Sequence, residues 1–514
     1  VAAIDFIPVA ALFRSSAQKV SQMTEHSLLA SLNDPSLFRE ANLIGGEWIS
    51  LDGGASIVVT DPADGSVIGR VPSLDRSHAA RAIAAAKAAQ PAWRSLTAKD
   101  RAIILRRLFD LMMANQDDLA RIMTAEQGKP FQESRGEIAY AASFIEWFAE
   151  EGKRIYGDTI PEPVAGRRII VVKEAIGVFA AITPWNFPAA MITRKAGPGW
   201  AAGCTGVIRP ADETPFSAIA LAVLTERAGF PPGVCNVITG DGPLLGLEIT
   251  ESRDVAKLSF TGSTEVGAIL LAQCAPTIKR TSMELGGNAP FIVFDDCDLD
   301  AAITGALASK YRNAGQTCVC VNRFLVQDGI YDAFATRLAE AVSHMPVGNG
   351  RNEQTQIGPL IDENAIAKVE AHIADVVERG GSVVAGGKRI DGPGHFFLPT
   401  VLTNVSRGAR IFQEETFGPV APLFRFRDER EAVEMANDTP FGLAAYFYTK
   451  DIGRVMRVSR ELEYGIVGIN EGIISTEVAP FGGMKASGHG REGSHYGIED
   501  YLEIKYLCIG GIDT

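Results

Sequence analysis

The chain has 514 residues, of which 46% are apolar and 22% charged, and its formal net charge is -13. That length exceeds one ordinary hydrophobic core and implies two or three domains. The acidic balance argues against nucleic acid or an anionic membrane as a general partner, but not against an anionic substrate in a locally positive pocket.

The seven cysteines (Cys204, Cys235, Cys274, Cys297, Cys318, Cys320 and Cys508) are odd in number and irregularly spaced. This speaks against a secreted disulfide framework and for a reducing, cytoplasmic compartment. No apolar run reaches the ~18 residues a membrane helix needs. Residues 1–38 carry no assignment. Their first part has no basic segment before its apolar stretch, and reads either as a weak transit segment or as sequence upstream of a start at Met23.

From 76 to 150 the chain reads as helices, with a break expected at Pro91 and one long apolar-periodic helix stopping at Gly128. Residues 167–184 read as strands around a turn at Gly177. Strands are then expected at 207–210, 234–240 and 257–263, with a helix at 217–229. A second alternating series follows, with strands at 290–296 and 323–328 and helices at about 299–313 and 331–344. Strands alternating with helices of this length indicate parallel α/β sheets, hence two α/β domains.

Four segments stand out chemically. In NAGQTCVCVNR, residues 313–323, a cysteine lies among polar and glycine residues between two periodic segments. Cys318 there is either a small buried residue or a reactive thiolate. The Cys318–Cys320 pair has no second Cys/His pair nearby, so no metal site is expected. Glu284 in MELGGNAP is either a turn cap or a base whose pKa burial raises. Asn186, between Trp185 and Phe187 in ITPWNFP, is either a turn residue or a donor to a developing oxyanion. FTGSTEVG, residues 260–267, follows a strand and opens a helix, which suits a pyrophosphate although the spacing is not the G-x-G-x-x-G fingerprint.

Together with RPADETPFSA, GFPPGVCNVITG, EETFGPV and PFGGMKASGHGREG, these segments resemble the aldehyde dehydrogenase superfamily over about residues 40–508. Glu284 and Cys318 stand 34 residues apart, as that pattern has them. The resemblance implies Cys318 as nucleophile, Glu284 as general base, and Asn186 with the Cys318 backbone N–H as oxyanion donors. It implies Gly262 and Ser263 at the pyrophosphate, Glu415 and Phe417 at the nicotinamide end with Trp185 beside the cleft, and Lys195 in support. The cofactor domain would comprise 40–150 and 176–286, and the catalytic domain 287–480. Segments 152–175 and 492–510 would join subunits into a homodimer or homotetramer. Two departures stand out. Arg209 replaces the family's lysine before Pro210, and Gly199-Trp200 follows Pro198 where Ala-Leu is usual, so Trp200 is expected to alter packing near the cofactor cleft or substrate tunnel.

Within the family, AMITRK at 190–195, YRNAGQTCVCVNR at 311–323 and the C-terminal run 471–508 look like the succinate-semialdehyde dehydrogenase branch. The likeness implies that Arg194, Arg312 and Ser475 hold the substrate's far carboxylate, a task suited to guanidinium groups. Glutarate semialdehyde, one methylene longer, is the alternative substrate; an acyl-CoA-forming enzyme or a binding protein fits less well. Cys320 is a candidate redox partner of Cys318 through an exposed, easily reduced disulfide. NAD is favoured over NADP, because Asp212 would repel a 2'-phosphate, while Arg209 pulls the other way.

Overall fold

The computed structural model describes residues 28–51 and 53–511. Residues 1–27, with Met23, lie outside the described residues. Residues 28–38 pack against the body: Leu37 is fully buried, and Phe38 stacks on Phe216 with ring centroids 4.2 Å apart.

Two large sheets carry the fold. The first has eight strands, in the order Glu47–Ser50, Ala41–Ile44, Cys235–Val237, Thr205–Arg209, Val178–Ile182, Val255–Thr261, Arg280–Glu284 and Gly488–His489. Its five middle strands run parallel, as expected, while the strands flanking them pair antiparallel. Progress along the sheet reverses between Val178–Ile182 and Val255–Thr261, which are neighbours. Such a reversal opens a crevice beyond the strands' carboxyl ends, the usual ligand position in open α/β sheets.

The second sheet has seven strands, in the order Ser382–Ala385, Thr400–Thr403, Val420–Phe426, Val321–Gln327, Ala289–Val293, Ala444–Tyr448 and Ile466–Ile469. All but the first pairing are parallel. Ala289–Val293 is buried along its whole length, as strands covered by helices on both faces are. A small third sheet pairs Arg167–Ala175 with both Asp158–Ile160 and Leu502–Gly510, and Ile504 and Tyr506 stand exposed on it.

The helical region differs from the sequence expectation in three places. Arg76–Ser95 runs through Pro91 unbroken; the proline is on an exposed face, where water can take the Lys87 carbonyl left without its N–H. The expected long helix is two, Ala98–Ala114 and Gln116–Gln127. The Asn115 side-chain amide donates to the Leu111 carbonyl at 2.8 Å and competes with the helical ladder there. The third helix, Leu299–Tyr311, ends before Asn313. Trp200 is not at the cleft: it is buried in the core, edge-on to Phe230 at 4.9 Å and donating to the Val234 carbonyl at 3.3 Å. Gly199 beside it has no room for a side chain, since a Cβ would stand 2.7 Å from the Phe179 ring.

Candidate active site

The two sheets meet end to end. Asn186, Arg209, Gly262, Ser263 and Glu284 all lie at or just beyond the carboxyl ends of first-sheet strands. Cys318 and Glu415 with Phe417 lie just before the second-sheet strands Val321–Gln327 and Val420–Phe426. The site therefore collects the exits of one sheet and the entrances of the other.

A cavity of about 340 Å³ occupies this seam. Trp185, Gly262, Ser263, Cys318, Glu415 and Phe417 all line it, so it gathers residues from four of the separate sequence segments. Trp185 and Phe417 meet edge-on at 5.6 Å. The helix Thr264–Cys274 opens at the cavity, and Ser263 caps it by accepting from the Val266 N–H at 3.3 Å. The glycine pair after Glu284 shapes the wall. A Cβ on Gly286 would come within 3.2 Å of the Glu415 carboxylate, and one on Gly287 would lie 2.4 Å from the Cys318 carbonyl. The Gly287 N–H donates to Glu415 at 3.0 Å. Burial, only partly offset by that bond, raises the Glu415 carboxyl to about 7.

Cys318 is half-buried at the cavity floor. Three consecutive left-handed residues precede it by a few positions: Asn313 (φ 51°), Ala314 (φ 54°) and Gly315 (φ 76°). For asparagine and alanine this conformation is costly and must be imposed by the surroundings. The Glu133 carboxylate accepts from the Asn313 N–H at 2.8 Å, while the Gln316 side chain donates to Pro359 and accepts from the Ile361 N–H. Burial pushes the Cys318 thiol up to about 12; Glu284 and Glu415 add to this, and Arg194 and Arg312 oppose it.

Asn186 is buried, and its side-chain amide donates to the Gln316 carbonyl at 3.1 Å, leaving one N–H of the amide over. Its own carbonyl accepts from Lys129 Nζ at 2.7 Å and from the Asn313 amide at 3.0 Å. Lys129 is paired in turn with Glu137 at 2.5 Å, both side chains almost fully buried, and Glu137 accepts from the Ala189 and Ala190 N–H groups. Sequence reasoning missed Lys129, Glu133 and Glu137; they sit in a stretch that reads simply as helix.

Glu284 caps nothing. Both its oxygens are buried without a hydrogen-bond partner among the described residues. A Cβ on Gly482 would stand 2.9 Å from its Oε1, so that glycine leaves the carboxylate room. Burial, then the nearby Glu492, raise its pKa well above the ordinary range, against Arg194, Lys195 and Arg491.

Lys195 and Arg194 both pair with Glu492, 297 positions from Lys195; it lies in the PFGGMKASGHGREG segment, but the sequence reading gave it no role. Lys195 also donates to Thr261 at 2.6 Å. Burial alone would raise the Glu492 carboxyl, but Lys195 and Arg194 outweigh it and hold it below the ordinary range. Arg194 therefore reaches the site already carrying a carboxylate of its own at 2.7 Å, with its guanidinium 3.9 Å from the Phe481 ring centre. Arg312 is different. It stands over the Phe187 ring at 5.3 Å and has no ion-pair or hydrogen-bond partner among the described residues. Ser475 is half-buried on the loop after Ile466–Ile469.

Cys320 is buried rather than exposed, with Lys310 Nζ 3.3 Å from its sulfur, because it faces the core under the loop. At the far end of the cleft Arg209 donates to Asp212 at 2.8 Å and to the Gly240 carbonyl at 3.2 Å, the pairing that their spacing allowed. Among the described residues no cluster of three His, Cys, Asp or Glu could hold a metal, and no helix is long and apolar enough to cross a membrane.

A thiol where two α/β sheets meet, facing a cleft at the switch point of one and a desolvated carboxylate, is the architecture of a dehydrogenase that works through cysteine. The model of the aldehyde dehydrogenase family matches residues 48–507, and the chain belongs to that family. It is an NAD(P)-dependent aldehyde dehydrogenase. It is 65% identical over 479 residues to the succinate-semialdehyde dehydrogenase [NADP(+)] GabD of Escherichia coli, covering 93% of this chain and 99% of that protein. It is 63% identical over 478 residues to a glutarate-semialdehyde dehydrogenase of Pseudomonas putida, covering 93% and 99%. The crystal structure of a succinate-semialdehyde dehydrogenase from Burkholderia pseudomallei superposes with a TM-score of 0.92 at 63% identity, covering 94% of this chain and all of that one.

Proposed function

We propose that the enzyme oxidises succinate semialdehyde to succinate, with glutarate semialdehyde as the alternative substrate. The observation that carries this reading is Arg312: a cation with no ion-pair or hydrogen-bond partner among the described residues, whose charge opposes the rise that burial imposes on Cys318. The names of the relatives at 65% and 63% identity support the same pair of substrates.

In this reading the Cys318 thiol gives its proton to solvent in the cleft, and the thiolate attacks the aldehyde carbon. Negative charge growing on the aldehyde oxygen is met by the free N–H of the Asn186 amide and by the Cys318 backbone N–H. The Lys129–Glu137 pair and Asn313 hold the Asn186 backbone in place for this. A nicotinamide dinucleotide fits the cleft, with Ser263 and Gly262 at its phosphates, Glu415, Phe417 and Trp185 at its ring end, and Arg209 and Asp212 at its ribose end; when bound it accepts the hydride. The Glu284 carboxylate, made a stronger base by burial, takes a proton from the water that hydrolyses the thioester. That step yields free acid and disfavours acyl-CoA formation.

Asp212 favours NAD, but its pairing with Arg209 blunts the repulsion of a 2'-phosphate, so NADP is used as well. Cys320, buried beside Lys310, is the redox partner of Cys318 in this reading. The exposed Ile504 and Tyr506 on the third sheet suit the subunit-joining element of a homodimer or homotetramer, and the cysteine usage suits the cytoplasm. The cofactor domain of 40–150 and 176–286 and the catalytic domain of 287–480 then follow the two large sheets.

The test compares Arg312→Ala with wild type on succinate semialdehyde, glutarate semialdehyde and butanal. KM for the two acids rises roughly 10- to 100-fold, the loss of a charge-assisted contact, and butanal is little affected. Equal losses on all three would make Arg312 a structural residue and remove the support for an acidic substrate.

A further inference from the structure

The helix Phe131–Glu151 carries a residue that none of the site motifs contains. Tyr140 lies edge-on to Phe144 at 4.9 Å, and Phe144 in turn lies beneath the Arg194 guanidinium at 5.8 Å. The Tyr140 hydroxyl is buried and has no hydrogen-bond partner among the described residues. The charges felt at this hydroxyl are those of Arg194, Arg312, Glu492 and Cys318, the groups around the reactive thiol. One turn further along the helix, Ser143 donates to Glu477 at 3.2 Å and ties the helix to the loop that carries Ser475. A buried hydroxyl with no partner is uncommon and calls for an explanation.

We propose that Tyr140 is a specificity-determining residue whose hydroxyl donates a hydrogen bond to the substrate's distal carboxylate, making with Arg312 a two-point clamp. This rests on the reading that the substrate carries such a carboxylate. A carboxylate has two oxygens and several lone pairs; one cation fixes its position, and a second donor from another direction fixes its orientation. Arg194 is ion-paired with Glu492 at 2.7 Å, while its Nε and Nη2 have no hydrogen-bond partner among the described residues, so it adds positive charge beside the clamp. Burial, against the pull of Arg194 and Arg312, keeps the phenol pKa above its ordinary value, so Tyr140 remains a donor across the working pH range. A neutral aldehyde gains nothing from this hydroxyl.

Tyr140→Phe keeps the ring and removes only the donor. With the full-length enzyme and saturating cofactor, kcat/KM for succinate semialdehyde is expected to fall roughly tenfold, mostly through KM, with butanal nearly unchanged. Succinate, titrated as product in a calorimeter, should lose affinity by a similar factor, a readout that needs no turnover. An unchanged ratio of semialdehyde to butanal in Y140F, while Arg312→Ala changes it, overturns the role of Tyr140 alone. An unchanged ratio in both variants overturns the acidic-substrate reading beneath it. Parallel losses on both aldehydes make Tyr140 structural and overturn the proposal as well.

Discussion

The two sides of Cys318 are built in opposite ways. On the cofactor side lies an open cleft of about 340 Å³, walled by glycines, a helix start and two aromatic rings, with Glu415 the acid at the thiol's end. On the substrate side the groups are packed and mostly already spoken for: Lys129 with Glu137, and Arg194 and Lys195 with Glu492. The first side leaves space for a large ligand. The second leaves groups without hydrogen-bond partners among the described residues, among them the Arg312 cation, the Tyr140 hydroxyl, the Glu284 carboxylate and two nitrogens of Arg194. A cleft of the first kind accepts a common cofactor, and a residue of unpaired groups selects a substrate.

Removing the thiol that both sides share has the largest expected effect. Cys318→Ala should lower turnover by about 10⁴-fold or more, as for other nucleophile deletions, while dinucleotide binding followed by fluorescence stays near wild type. Loss of both together would mean that the two sides are not separable. Next comes the unsatisfied carboxylate. Glu284→Gln should keep a rapid burst of reduced cofactor and slow the following steady state by about 10²–10³-fold. In wild type the hydrolytic step should quicken as pH rises, because only the ionised carboxylate acts as base and its pKa is raised. The midpoint should lie above the ordinary carboxylate value of roughly 4; a midpoint at or below that value would deny Glu284 its buried setting.

The balanced groups make a different prediction. Glu137→Ala leaves Lys129 charged and alone in the core, which costs about 3–5 kcal/mol of stability in a denaturant titration. The double variant Lys129→Met, Glu137→Leu should recover much of that stability but not the rate, because nothing then holds the Asn186 carbonyl. Full recovery of rate would reduce the pair to packing. The smallest effect is expected at the far end of the cleft. Asp212→Ser should move the NADP to NAD ratio of kcat/KM upward by only about two- to fivefold, since Arg209 already offsets much of the acid's repulsion. An unchanged ratio would show that Asp212 does not set the choice.

The same contrast explains what the sequence made legible. Cofactor-side residues come in short contiguous stretches, because one strand end and the following turn supply several of them at once: Trp185 with Asn186, Gly262 with Ser263, Glu415 with Phe417. Alternation of strands and helices located most of the first sheet's parallel strands and two strands of the second, Ala289–Val293 and Val321–Gln327, but not the second sheet's other strands or the antiparallel edges, which depend on which strands meet and not on local pattern. The substrate side is assembled from positions far apart in the chain. Glu492 reaches Lys195 across 297 residues, and Glu137 reaches Ala189 across 52, so neither pairing can be read from the local sequence. Arg194 shows the limit most plainly: its presence was readable, but its commitment to Glu492 was not. Pro91 and Asn115 failed in opposite senses, one because solvent tolerates a missing donor and the other because a side-chain amide competed with the backbone.

The hydrogen bonds between Asn186 and the 313–316 turn cross from one large sheet to the other, in both directions. The reactive centre is thus a clasp, and its geometry exists only while the two halves are closed on each other. Gentle loosening of that seam, by low denaturant or mild heat, releases the amide from the Gln316 carbonyl and frees three left-handed residues to relax before either sheet melts. Catalysis then serves as the most sensitive gauge of interdomain closure, fading at conditions where ellipticity is still that of the native fold.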